Sequence, residues 1–303
     1  MVQIVPTGEI LGATIEGVDL AQPLDERSFA EIFAALAEYS VLRFPRQTLD
    51  AAQQKAFSER FGSLEINVAN AYQEPGHPEI MVLSNIVENG RPIGARDAGQ
   101  DWHTDMSYSA TIAFANVLYA LRVPHRDGKP LGGTEFADMR AAYDDLPEDL
   151  KTRLAGMTVL HDFDKFWEMM RRRPGSLRPP LSEAQRRQKP PVSHPIFLTH
   201  PINGRKILYA NPGYAIRINE LPQRDSDEML QFLFEHQLQP KYRYLFRWAE
   251  GDVLMWDDLP TLHNARADYG PDEPRLIKRC QVMADRVFDP AFVRAALAPR
   301  AAA

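Results

Sequence analysis

The residues best equipped for chemistry in this chain are grouped in Asp101-Trp102-His103-Thr104-Asp105, where an imidazole and a carboxylate stand two positions apart. On an extended backbone, residues i and i+2 point to the same side, so these two side chains are expected to aim at one point. An imidazole nitrogen and a carboxylate oxygen aimed together make half of a divalent-metal site. A second His would complete the facial set of two His and one carboxylate used by non-haem Fe(II) oxygenases, which leaves positions open for a cosubstrate and O2. The pair alone is not distinctive, because 8 His and 22 Asp in 303 residues give about 0.6 such pairs by composition. A second pair, His125-Arg126-Asp127, lies in a polar stretch flanked by Pro124 and Gly128, a poor platform for a rigid site.

The completing ligand has to be a His far along the chain and near the end of a strand. His77 and His125 stand in polar loops, and His236 ends a helix expected at the surface. His161, His194 and His200 precede Asp or Pro in connecting segments. His263 differs, because it follows Gly251-Asp252-Val253-Leu254-Met255-Trp256-Asp257-Asp258, an apolar strand running into a turn. It also precedes Arg275 and Arg279, whose spacing of four puts both guanidinium forks on one face of a strand. Two such forks beside a metal suit two small-molecule anions.

A site of this kind needs a rigid frame, and the remaining sequence is patterned to supply one. Asp25 is placed to cap a helix whose Phe29, Ile32, Phe33 and Leu36 form one apolar stripe, and Asp50 to cap a second helix ending at Phe61-Gly62. Short apolar strands are expected at 40–44, 79–83, 110–121, 134–136, 242–248, 252–256 and 276–283. Asn203-Gly204 reads as a hairpin turn between 196–199 and 206–210. Neither an internal repeat nor a linker divides the chain, so one domain over 1–303 is expected. Many short strands with a few early helices predict a mainly β fold with flanking helices (α+β), built on a double-stranded β-helix or jelly-roll barrel. Residues 85–100 and the basic, proline-rich 166–191 lack a regular apolar period, and both are expected to be mobile lids over the mouth of the site.

With 303 residues, 44% of them hydrophobic, the chain is able to bury a large core. A net charge of −6 predicts no general nucleic-acid or anionic-membrane surface, and the basic 166–191 stretch reads as a solvated excursion. No apolar run has the length of a membrane span, and the N-terminus lacks the pattern of a secretory signal. The single Cys280 excludes an internal disulfide framework and fits a reducing, cytoplasmic location, as a buried strand residue. The expected partner is a small anionic organic molecule, with the protein as a homo-oligomer and with neither nucleic acid nor membrane as partner.

Taken jointly, several motifs make the chain resemble the TauD/TfdA family of Fe(II)- and 2-oxoglutarate-dependent dioxygenases over nearly its full length. They are Trp102-His103-Thr104-Asp105, Gly132-Gly133-Thr134-Glu135-Phe136, Gly251-Asp252-Val253-Leu254-Met255-Trp256-Asp257, His263, and Arg275-Leu276-Ile277-Lys278-Arg279. The resemblance implies that His103, Asp105 and His263 hold iron. It implies that Thr134 and Arg275 bind the distal carboxylate of 2-oxoglutarate, and that Arg279 holds an anionic group of the substrate. The family usually places an Asp between the second glycine and the threonine, whereas here Gly133 meets Thr134 directly. The activity implied is hydroxylation of a C–H bond, coupled to conversion of 2-oxoglutarate and O2 into succinate and CO2.

For the substrate, Gly99 and Asn67 stand where taurine enzymes of the family carry an Asn and a substrate-binding His, which argues against taurine. The segments around Gly132 to Asp144 and Leu181 to Arg186 resemble the 2,4-dichlorophenoxyacetate branch. His161-Asp162-Phe163 and Asn211-Pro212-Gly213-Tyr214 resemble the sulfonate branch, in which aromatic residues line the pocket. The substrate-side expectation is therefore Arg279, Asn67, Phe163 and Tyr214 around a small carboxylate such as an aryloxyalkanoate, with a sulfonate or sulfate ester as the alternative. A zinc hydrolase could use the same three ligands without needing Thr134 and Arg275. A non-catalytic jelly-roll binding protein would have no use for all three.

Overall fold

The computed structural model describes residues 2–66, 72–173, 176 and 178–298. Numbered in chain order, the strands that frame the site are β1 (Gln3–Pro6), β2 (Ala13–Glu16), β3 (Val41–Phe44), β4 (Gln73–Glu74), β5 (His77–Ser84), β6 (Ala113–Arg122), β7 (Thr134–Asp138), β8 (Arg243–Phe246), β9 (Val253–Asp257), β10 (Thr261–Ala265) and β11 (Leu276–Met283). Eight of them form one sheet in the order β1-β2-β3-β9-β6-β11-β5-β4. Its pairings are antiparallel except β2 with β3, which run parallel. A second, antiparallel sheet has the order β8-β7-β10.

β6 runs near the middle of the large sheet, and its first eight residues are all buried, as a strand covered on both faces requires. Its side chains divide with the period of two. Val117 and Tyr119 pack in the core that contains Phe29, Ile32, Phe33 and Leu36 of the helix Glu26–Tyr39 and Phe57 of the helix Ala51–Glu59. Leu118 and Ala120 pack with Phe136 of β7, Tyr244 and Phe246 of β8, and Leu254 and Trp256 of β9. The two sheets thus share one apolar core but are not hydrogen-bonded along their edges into a closed barrel among the described residues. The architecture is mixed α/β with one large sheet.

Both helix starts follow from their caps. Asp25 accepts the Ser28 N–H at 2.7 Å, and Asp50 with Gln53 makes a reciprocal capping box. Cys280 is fully buried on β11, as expected, and burial pushes its thiol up to about 12. The two stretches read as lacking a regular apolar period contain short regular elements among the described residues. Residues 85–100 contain a small hairpin, Val87–Glu88 against Arg91–Pro92. The region 166–191 includes most of a helix, Phe163–Arg171, and a second, Glu183–Gln188, started by a Ser182–Gln185 capping box. The apolar spacing Phe163, Phe166, Trp167, Met170 is a helical stripe that the surrounding arginines obscure. Among the described residues, no helix is long and apolar enough to cross a membrane.

Candidate active site

His103 is held by an isolated antiparallel bridge to His263. The His103 N–H donates to the His263 carbonyl at 3.0 Å, and the His263 N–H to the His103 carbonyl at 2.7 Å. The strand β10 therefore places both imidazoles through a single pair of backbone hydrogen bonds, and their ring centroids lie 4.2 Å apart. Asp105 is not on a strand, contrary to the i, i+2 expectation. It opens a turn that includes Met106 at φ 55°, and this turn brings its carboxylate to 3.6 Å from His103 Nε2. Two contacts brace the turn. Thr104 Oγ1 donates to the Asp258 carbonyl at 2.6 Å, and the Asn211 amide donates to the Thr104 carbonyl and to Ser107 Oγ, both at 2.8 Å. Gly213 lies so close that a Cβ there would sit 2.9 Å from the Cβ of His103, which accounts for glycine at this position.

One ligand atom from each of His103, Asp105 and His263 can be chosen so that all lie within 4.8 Å of one another. His103 Nδ1 lies 2.8 Å from the Asp101 carbonyl, which can only accept, so Nδ1 carries a proton and Nε2 is the nitrogen turned towards Asp105. Burial, together with the neighbouring His103, holds His263 well below the usual imidazole range and hence neutral. Burial pushes the Asp105 carboxyl up, but Arg279 first and then the two imidazoles outweigh it, leaving the group well below the usual carboxylate range. Two imidazoles and a carboxylate, buried and convergent, are a donor set that fits Fe(II) and related divalent ions.

The two arginines occupy different surroundings. Arg279, on β11, donates from Nη1 to Asp105 Oδ2 at 3.1 Å and from Nη2 to the Met81 sulfur at 3.5 Å. Arg275 is buried just before β11. Its N–H donates to Asn85 Oδ1 at 2.8 Å, its carbonyl accepts from Ser84 Oγ at 2.7 Å, and its guanidinium lies 5.9 Å from the Tyr269 ring centre. Its side chain passes Gly132, where a Cβ would lie 3.3 Å from Arg275 Cδ and 3.1 Å from the Tyr269 ring; with φ at +66°, that position needs glycine twice over. Thr134, two residues on, is buried on β7 and accepts the Trp248 indole N–H at 3.1 Å.

Beside His103 stands an aromatic wall. Phe166 and Tyr214 lie 5.2 and 6.4 Å from its ring, Tyr108 lies 4.8 Å from Tyr214, and Phe163 lies 4.8 Å from Tyr108. Phe163 and Tyr214 were expected on the substrate side; Asn67 lies outside the described residues. Sequence reasoning missed Phe166 and Tyr108, for which the helical stripe and the neighbouring ligand turn were the available signals. It also missed Asn116, Asn211 and Asp258, whose partners are too distant in sequence to signal a role. No other described His joins the site. His200 is buried on Asp257 Oδ2 at 2.8 Å, and His161 is buried on a strand. His236, expected at the surface, is buried with its ring N–H on the Ala142 carbonyl at 2.7 Å.

The convergent His-Asp-His set on this mixed α/β fold is a candidate centre for a divalent metal. Sequence comparison gives the family: the profile described as "Taurine catabolism dioxygenase TauD, TfdA family" matches residues 3–281, and this chain belongs to that family of Fe(II)- and 2-oxoglutarate-dependent dioxygenases. The chain is 35% identical over 294 residues to the alpha-ketoglutarate-dependent 2,4-dichlorophenoxyacetate dioxygenase of Cupriavidus pinatubonensis, covering 93% of this chain and 98% of that one. It is 34% identical over 295 residues to pentalenolactone F synthase of Streptomyces avermitilis, covering 93% and 94%. A crystal structure of a putative alpha-ketoglutarate-dependent 2,4-D dioxygenase from Burkholderia xenovorans superimposes with a TM-score of 0.76 at 30% identity, covering 94% of this chain and 98% of that one.

Proposed function

We propose that this dioxygenase hydroxylates a small organic carboxylate of the aryloxyalkanoate type, at an iron held by His103, Asp105 and His263. The observation that carries the reading is the convergence of these three buried side chains beside the Arg279 guanidinium and an aromatic wall. Iron, bound there with 2-oxoglutarate and O2, supplies the oxidising power for attack on a C–H bond. Arg275, with the hydroxyl of Thr134, holds the distal carboxylate of 2-oxoglutarate. Arg279 binds the substrate anion, and Phe166, Tyr214, Tyr108 and Phe163 pack on its apolar body and exclude water. When the hydroxylated carbon bears an ether oxygen, the product collapses to an aldehyde or keto acid and a phenol. The two sheets act as a double-stranded β-helix within a single domain, with 85–100 and 166–191 as its covering segments.

The experiment is a succinate-release screen with Fe(II) and 2-oxoglutarate across carboxylates, sulfonates and sulfate esters. Aryloxyalkanoates should couple best. Faster turnover of a sulfonate or sulfate ester would reassign the substrate class, and turnover that does not depend on 2-oxoglutarate would instead favour a zinc-type hydrolase.

A further inference from the structure

A buried carboxylate, Asp258, sits behind His263 and has no part in the chemistry described so far. Its Oδ1 accepts the Trp256 indole N–H at 3.0 Å, and its Oδ2 accepts the Asn116 amide at 2.6 Å. The same amide donates to Asp105 Oδ2 at 3.0 Å, so both hydrogens of the Asn116 nitrogen are committed to carboxylates at the site. Asn116 and Asp258 are both buried, on β6 and immediately after β9, and Asp258 also fixes Thr104 through its carbonyl.

His263 Nδ1 is buried without a hydrogen-bond partner, and Asp258 Oδ1 faces it at 3.7 Å. A neutral imidazole that offers Nε2 to a metal must carry its proton on Nδ1, and a buried N–H without an acceptor is costly. His103 meets this demand with the Asp101 backbone carbonyl, an acceptor that side-chain substitution does not delete. His263 depends instead on a side chain. We propose that Asp258, anchored by Asn116 and Trp256, is a positioning residue that accepts a hydrogen bond from the Nδ1–H of His263 and so presents Nε2 to the metal. The Asn116 amide links this carboxylate to Asp105, so two of the three metal-binding side chains are oriented by one buried pair. This inference rests on the assignment of His263 as a ligand.

Two N–H groups converge on the Asp258 oxygens, the His263 N–H assigned here makes a third, and an amide can accept at only one of its two ends. Asp258→Asn should therefore leave one donor unmatched while keeping size and shape. The test is anaerobic titration of the full-length protein with Co(II), read by its visible absorption band and its Kd. Asp258→Asn should weaken Co(II) binding by about 10–100-fold, the range for removing a hydrogen-bond partner of a ligating His, and should shift the band. Asp257→Asn is the control: this neighbouring buried carboxylate bonds His200, not His263, and its loss should leave Co(II) affinity near that of the parent. Parent-like affinity and an unshifted band in Asp258→Asn would overturn the proposal, as would an equal loss in Asp257→Asn. Undiminished Co(II) binding by His263→Ala would instead overturn the ligand assignment beneath it. A measurement independent of any variant is the tautomer of His263 in the unaltered protein by 15N NMR. A proton on Nδ1 supports the positioning role, and one on Nε2 refutes it.

Discussion

At the scale of single residues, the proposed function gives three side chains and two guanidinium groups separable duties. Removing the His263 imidazole takes away one convergent donor and leaves the backbone bridge to His103 in place, because that bridge uses only main-chain atoms. His263→Ala should thus remain folded and lose Fe(II)-dependent decarboxylation of 2-oxoglutarate, measured as succinate formation. His125→Ala should be silent, since the His125 ring meets the Val123 carbonyl in an exposed hairpin. Arg275 and Arg279 should fail differently. Losing a charged contact to a carboxylate costs about 1.5–3 kcal/mol, roughly a tenfold to hundredfold loss of affinity. Arg275→Ala should raise the KM for 2-oxoglutarate even without primary substrate. Arg279→Ala should weaken primary substrate and coupling, with uncoupled 2-oxoglutarate turnover much less affected. Equal damage to 2-oxoglutarate binding in both variants would mean one shared clamp. Lysine at either position keeps the charge without the fork and should rescue only in part.

At the scale of elements, the two covering segments are fastened to each other. Arg178 forks onto Asp97 with contacts of 3.0 and 3.1 Å, and Arg173 reaches Gln100 at 2.5 Å and the carboxylate of Asp101. These ties join the segment after the helix Phe163–Arg171, which carries Phe163 and Phe166 of the aromatic wall, to the segment that leads into the ligand turn. The Arg178–Asp97 pair is partly exposed, so it should contribute no more than about 1 kcal/mol to global stability. Its effect should appear locally. Arg178→Ala should speed hydrogen exchange across residues 93–100 while leaving the melting temperature nearly unchanged, and moderate salt should reduce the difference from the parent. Exchange that stays equally slow in the variant would show that the Arg178–Asp97 pair does not hold these segments.

At the scale of the whole molecule, one buried amine leaves a pH signature in stability. Lys165 sits in the helix Phe163–Arg171 with its Nζ donating to the Ala215 carbonyl at 2.7 Å and lying 4.8 Å from the Phe234 ring centre. Burial pulls its pKa down from 10.5 to about 8. Between those two values the unfolded chain holds this proton and the folded chain has released it, so unfolding takes up a proton and stability rises with pH. Below about pH 8 the amine is charged in both states, and the folded protein bears the full cost of burying it. Lys165→Met should therefore be more stable than the parent at pH 7, and the advantage should shrink as pH climbs from 8 towards 10.5. Denaturant titrations of the two proteins at several pH values read this directly; a pH-independent difference would refute it.

Sequence by itself determined the features that depend on near neighbours. The Asp25 and Asp50 caps, the Phe29-Ile32-Phe33-Leu36 stripe and the apolar strands all follow from local hydrogen bonding and periodicity, which act over a few residues. His263 was legible because it follows an apolar strand running into a turn and precedes two arginines. Tertiary structure decided what depends on distant partners. Asp105 reaches His103 through a turn fixed by Asp258 and Asn211, not through strand alternation, and Thr104 and Asp258 are 154 positions apart. The Asn116–Asp258 bond spans 142 positions and the Arg178–Asp97 pair 81. His161, His200 and His236 looked like residues of loops or of an exposed helix end, yet packing buries them. Local propensity carries no information on which side chain crosses a sheet to meet another, because that choice is made by the burial of the whole core and the pairing demands of the polar groups trapped within it.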